Sequence, residues 1–203
     1  MKPTVQLPQS TQPLQQAGQP ACGDTALLVQ AVLNHAPALP LDVLELGCGT
    51  GLAALQLLLA RPQWRVSGIE LQGHLAEMAR RNAGAIGLPL RVHTADLRTW
   101  HPERRFQVVL ANPPHIPVSS GRLPADSCRA LARHELACTM HDAVEAVAHL
   151  LAPQGQAWLL YPLQRRDELA TTCHACGLEL RSTHSQPQGR TAVFGIGHAH
   201  ADA

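Results

Sequence analysis

Residues 41–51 read Leu-Asp-Val-Leu-Glu-Leu-Gly-Cys-Gly-Thr-Gly. Leu41–Leu46 is a short apolar run that stops at glycines, the pattern of a buried strand. The segment after it, Gly51–Arg61, is strongly apolar over a length that suits a helix. A strand that turns through glycines into a helix brings backbone N–H groups to the strand's C-terminal end, where a ligand can approach closely. The spacing narrows the ligand. A dinucleotide fingerprint needs G-x-G-x-x-G, and its third small position is Leu52 here. No Lys-Ser/Thr follows, so a Walker-type phosphate loop is excluded as well. What remains is G-x-G-x-G behind Glu45, and an acid at that place suits a cationic ligand better than a phosphate.

Outward from this turn the chain alternates between strand and helix patterns. Ala26–His35 reads as an amphipathic helix with capping oxygens at Asp24 and Thr25. Strands are expected at Leu41–Leu46, Trp64–Glu70, Leu90–Thr94, Phe106–Ala111, Gln156–Pro162, Gly177–Thr183 and Arg190–Gly197. Helices are expected at Gly51–Arg61, Leu71–Gly87, Arg165–Cys176 and, as one long helix or a broken pair, Cys128–Leu151. Such alternation builds βαβ units and a largely parallel sheet. The last two strands are joined by only a short turn and should pair antiparallel. The expectation is an α/β, Rossmann-like seven-stranded mixed sheet with helices on both faces. It spans residues 23–198, between a Gln/Pro-rich tail at 1–22 and a C-terminal tail at 199–203. The first twenty residues hold six glutamines and four prolines, too little apolar surface to order themselves.

Two more strand ends carry acids. Glu70 closes the second strand, where a carboxylate can accept hydrogen bonds from both hydroxyls of a ribose. Asp96 follows the third, where it can meet an adenine edge. Three acid-bearing strand ends behind a G-x-G-x-G turn resemble the class I S-adenosylmethionine-dependent methyltransferases over Leu41–Gly197. The resemblance implies S-adenosylmethionine as cofactor. Glu45, Gly47, Cys48, Gly49 and Gly51 would form the loop on its methionine part, Glu70 with Leu71 would hold the ribose, and Asp96 with Leu97 would border the adenine.

The fourth strand runs straight into Asn112-Pro113-Pro114-His115. In open parallel sheets this places the motif on the same rim as the glycine turn. An aromatic exocyclic amine is a poor nucleophile because its lone pair is delocalised into the ring. The side-chain oxygen of Asn112 can accept one amine N–H and the Pro113 carbonyl the other, which localises the lone pair and aims it. Prolines fix φ and hold that carbonyl still, so positioning supplies much of the acceleration. The motif is similar to the N-P-P-Y of methyltransferases that act on amide or exocyclic amine nitrogens. Its fourth position departs from that family: His115 stands where a tyrosine or phenylalanine would stack on the target ring, and a neutral imidazole also has a flat face.

Cys128–Glu135 carries R-x-x-x-R-H-E, similar to bacterial methyltransferases acting on the 6-amino group of adenine in tRNA. This implies that Arg122, Arg129, Arg133 and His134 face the RNA, with the arginines at its phosphates. Residues 98–134 hold six arginines against two acids, while the chain as a whole is near neutral at +1. Arginines on a solvated loop would give the same local excess. Two other readings use the same features. A release-factor type methyltransferase would take a glutamine side chain, though such enzymes carry an extra N-terminal helical domain. A module that binds the cofactor without catalysis would fit the departure at His115.

Composition limits the remaining classes. Apolar residues are 45% of the 203, which suits one domain with a full core and excludes wholesale disorder. No apolar run is long enough to cross a membrane, and residues 1–20 lack the apolar block of a secretory signal. Six scattered cysteines suit reduced thiols and a cytoplasmic protein. Cys173-His174-Ala175-Cys176 has C-x-x-C spacing but no second ligand pair at matching distance, so no metal is expected. Cys48 suits its loop by being small, and Trp64, Trp100 and Trp158 read as packing residues.

Overall fold

The computed structural model describes residues 23–113 and 138–199. The elements are α1 (Gly23–His35), β1 (Asp42–Leu46), α2 (Leu52–Ala60), β2 (Arg65–Glu70), α3 (Gly73–Ala85), β3 (Arg91–Thr94), β4 (Phe106–Ala111), α4 (Met140–Leu150), β5 (Leu151–Pro162), a 3-10 turn (Leu163–Arg165), α5 (Arg166–Ala175), β6 (Leu178–Ser185) and β7 (Thr191–His198). Among the described residues the sheet has seven strands in the order β3-β2-β1-β4-β5-β7-β6. The first five pair in parallel, and β7 runs antiparallel to both β5 and β6. The expected architecture is therefore present. The chain passes from β1 to β2 to β3 on one side and returns to β4 on the other, so β1 and β4 lie side by side at the switch in direction. In sheets of this kind that crevice is where ligands bind.

β1 is buried along its whole length because helices cover both faces. Leu44 and Leu46 join a core made with Val144 and Val147 of α4, Leu169 of α5, and Leu159 and Phe194 of the sheet. Val43 faces the opposite core, with Leu28 and Val32 of α1, Leu57 and Leu58 of α2, and Leu110 and Leu160 of the sheet. At the N-terminal end of β1 the buried Asp42 is gripped by Arg65, Nε to Oδ1 and Nη2 to Oδ2 both at 2.8 Å, and by Arg104 at 3.0 Å. The Arg65 hydrogen bonds hold the Asp42 carboxyl below its usual range. Trp64 is buried and its Nε1 donates to the Leu39 carbonyl at 2.9 Å; Trp158 is buried and Trp100 half-buried.

Most boundaries shift by one to three residues, and three show what sets them. Of the long helix or broken pair expected over Cys128–Leu151, the described part is α4, which begins at Met140. Thr139 ends the preceding coil and caps the helix: its Oγ1 accepts from the Asp142 N–H at 3.1 Å and Asp142 Oδ2 accepts from the Thr139 N–H at 2.8 Å. This reciprocal pair satisfies donors that a helix start leaves open. Residues 128–137 of that expectation lie outside the described residues, as do the tails at 1–22 and 200–203. β5 starts five residues early, at Leu151, because α4 passes directly into extended backbone there. The register then slips from Phe106–Leu151 to Val108–Gln156. α3 stops at Ala85 instead of Gly87: Gly87 turns with φ +66°, and the Leu88 N–H closes back on the Ala83 carbonyl at 3.0 Å. No helix among the described residues is long and apolar enough to cross a membrane.

Replacing Thr139 by alanine removes the cap and leaves the Asp142 N–H without its side-chain acceptor. The loss expected is about 1 kcal/mol. Urea unfolding should show a lower midpoint with an unchanged slope.

Candidate active site

A cavity of about 210 Å³ opens at the C-terminal edge of β1, β2 and β4. Its floor is the loop after β1. Gly47 and Gly49 hold φ of +65° and +52°, and a Cβ at either would project into open space. A side chain there would strain the backbone. The loop is tied down from β2. Glu70 is buried, and its Oε2 accepts from the Gly49 N–H at 2.9 Å while Oε1 accepts from the Gln72 N–H at 2.9 Å. The Cys48 N–H also donates to the Ile69 carbonyl at 2.9 Å. Each Glu70 oxygen keeps a second acceptor site, and the residue lines the cavity.

The sequence-predicted residues divide into two groups. Gly47, Gly49, Glu70, Leu71, Asp96, Leu97, Asn112 and Pro113 all line this one cavity. Residues from the ends of four strands and the loops after them thus converge. Asp96 is held by Arg98, with Nε to Oδ1 at 3.0 Å and Nη2 to Oδ2 at 2.6 Å. These hydrogen bonds keep its carboxyl below the usual range. Asn112 is exposed at the rim and Pro113 is buried beneath it.

Glu45, Cys48 and Gly51 lie behind the loop and are not among the lining residues. Glu45 turns under α2, where its Oε2 accepts from the Ala54 N–H at 2.9 Å. Burial pushes its carboxyl up to about 8, against the lowering effect of the Ala54 hydrogen bond; the nearby Glu70 charge adds to the rise. Cys48 is buried against Gly68, where a Cβ would meet its Sγ at 2.7 Å, and burial pushes its thiol up. Gly51 packs on Ala79 and Leu90. Pro114, His115, Arg122, Arg129, Arg133 and His134 lie outside the described residues. Cys173 is buried in the core and Cys176 half-buried at the end of α5, with burial pushing the Cys173 thiol up to about 12.

Other lining residues had no motif to mark them. Leu46, Ile69, Leu75 and Ala111 supply apolar wall, and Cys138 and Ala143 close it from the start of α4. The Thr-x-x-Asp capping signature at 139–142 is the one sequence feature that could have located those two, because it fixes where α4 begins.

A family model described as a methyltransferase domain matches residues 43–134. A tRNA1(Val) (adenine(37)-N6)-methyltransferase of Porphyromonas gingivalis is 35% identical over 156 residues, which are 72% of this chain and 60% of that protein. A release factor glutamine methyltransferase of Enterococcus faecalis is 34% identical over 93 residues, 46% of this chain and 34% of its own. Among solved structures, TrmN from Thermus thermophilus superposes with a TM-score of 0.63 at 28% identity, covering 85% of this chain and 48% of that one. The chain thus spans less than two thirds of the length of these relatives. In fold, in its glycine loop and in sequence the chain resembles the class I S-adenosylmethionine-dependent methyltransferases. Within that class the chain resembles the tRNA adenine N6-methyltransferases.

Glu70→Ala strips the acceptor from two N–H groups at once. Unfolding should cost about 1–3 kcal/mol less, measured by urea titration. Affinity for S-adenosylmethionine should fall at least about tenfold in calorimetry; an unchanged Kd would take Glu70 out of the binding site.

Proposed function

We propose that this chain transfers a methyl group from S-adenosylmethionine to an exocyclic amine, the 6-amino group of adenine in tRNA. The observation that carries the reading is the shared cavity: Asn112 and Pro113 line the same space as Gly47, Gly49 and Glu70. The cradle fits the cofactor. Two glycines without side chains line it, and a buried carboxylate with free acceptor capacity faces in. Gly47 and Gly49 would hold the methionine part, Glu70 with Leu71 the ribose, and Asp96 with Leu97 the adenine. Glu45, Cys48 and Gly51 would support the loop from behind. When bound, the cofactor supplies an electrophilic methyl on a positively charged sulfur.

The chain's own residues do the rest by placement. Asn112 accepts one N–H of the target amine through its side-chain oxygen, and the Pro113 carbonyl accepts the other. Two fixed acceptors draw the lone pair out of conjugation and point it at the methyl. Pre-set dipoles of this kind need no reorganisation as charge develops. The buried wall of Leu46, Ile69 and Ala111 keeps water from competing. After transfer the extra proton on nitrogen passes to water, so no general base is required. Pro114 and His115 continue the motif, with His115 stacking on the base. Arg122, Arg129, Arg133 and His134 meet the RNA around a flipped adenine. A tRNA substrate would be met in the cytoplasm.

The partial likeness to a release factor glutamine methyltransferase supports a second reading, in which the acceptor is a glutamine amide. Incubation with S-adenosylmethionine carrying a tritiated methyl, followed by separation of tRNA, protein and DNA, distinguishes them. Label in tRNA is expected. Label in protein alone moves the acceptor to glutamine, and label in no pool makes the chain a binding module. Asn112→Ala should lower kcat by on the order of a hundredfold or more while the cofactor Kd stays within a few-fold. Parallel loss of both would contradict the division between holding and positioning.

A further inference from the structure

Glu45 is the one acid of the cofactor rim that does not face the cavity, and its surroundings pull it in opposite directions. α2 begins at Leu52 behind Gly51, which has no side chain to cap it. The Glu45 carboxyl fills that role from β1, accepting the Ala54 N–H at 2.9 Å. A helix N-terminus favours a negative charge at this place. Everything else opposes it. The side chain is buried; its register partners on β2 and β4, Gly68 and Leu110, bring no charge. Glu70 on β2 adds a like charge, and the Cys48 thiol of the loop is itself pushed up by burial and by Glu45. Among the described residues the cation that bears on this cluster, Arg80 of α3, acts on Cys48. No arginine or lysine among the described residues pairs with Glu45.

We propose that Glu45 stands protonated under the loop in the free protein and releases its proton to solvent when a sulfonium occupies the cavity, so that the site grips the cationic donor and lets go of the neutral thioether left after transfer. This rests on the cofactor reading above. A cation held in the cavity beside the glycine loop would supply the positive potential that the folded site lacks, and the ionised carboxyl would keep its helix hydrogen bond. Once the methyl has left, the sulfur is neutral, Glu45 takes a proton back from solvent, and the electrostatic grip is gone. The carboxyl, pushed up to about 8 in the free protein, puts this exchange close to neutral pH. Opposite charge lowers it on binding, so affinity for a cation rises as pH rises through that value, whereas affinity for a neutral ligand does not.

S-adenosylmethionine has an amine that also titrates, so the test uses a pair of probes without one. These are 5′-deoxy-5′-(dimethylsulfonio)adenosine, which is permanently cationic, and 5′-methylthioadenosine, which is neutral. Binding of each is measured by calorimetry from pH 6.5 to 9.5. The ratio of sulfonium to thioether affinity should climb by about tenfold across that range, and Glu45→Gln, which keeps an oxygen for Ala54 but no proton to give, should flatten it. In the wild-type protein the Ala54 amide resonance should titrate with a midpoint near 8 and lose that midpoint when the sulfonium is bound. This readout decides the matter even if the glutamine variant fails to fold. A flat ratio in the wild type, a slope that survives in Glu45→Gln, or an Ala54 amide that does not titrate would overturn the proposal. If neither probe nor S-adenosylmethionine binds at any pH, the cofactor reading itself falls.

Discussion

One buried carboxylate sets the shape of the site. Glu70 spends both oxygens on backbone N–H groups, one in the loop after β1 and one just past its own strand. Without those acceptors, a glycine loop with three left-handed residues has little reason to stay open, since glycine loses more freedom on ordering than any other residue. With them, the loop is fixed at the crevice between β1 and β4 before any ligand arrives. The hydrogen bonds of Glu70 therefore do two things: they pin the floor of the cavity, and they leave a charged acceptor on its wall.

The rest of the fold brings complementary chemistry to the same edge. Parallel pairing of β1 with β2 and with β4 aligns their C-terminal ends, so the glycine loop, Glu70 and Asn112 converge although they lie far apart in sequence. Cores on both faces of the sheet make that edge rigid. Acids are distributed by role along the central strands. Asp42, at the far end of β1, is neutralised by Arg65 and Arg104. Glu45 caps α2, and Glu70 faces the cavity. The same residue type thus serves as ion-pair partner, helix cap and loop clamp according to what surrounds it.

Much of this was legible in the sequence. Strand and helix alternation, the G-x-G-x-G turn and the acid at Glu70 are local patterns, and local patterns survive folding when burial on both faces leaves them no alternative. Asn112-Pro113 was legible for the same reason, being fixed to the end of a strand. What escaped depends on contacts between distant segments. Nothing in Glu45 itself tells whether it faces a ligand or turns beneath the helix that follows; the Ala54 N–H decides that in three dimensions. Cys138 and Ala143 reach the cavity only because α4 is folded back over β4, and the start of α4 at Met140 follows from a cap whose two halves each look ordinary alone. The early start of β5 reflects a register slip against β4 that no periodicity encodes.

The claim that the cavity is built in advance by Glu70 can be measured directly by amide hydrogen exchange on the ligand-free protein. The account predicts that the Gly49 and Gln72 amides exchange slowly, at rates comparable with other buried loop hydrogen bonds, and that both become fast in Glu70→Ala. Fast exchange at both positions in the unaltered protein, slowed only when S-adenosylmethionine is added, would show that the ligand organises the loop and would contradict it.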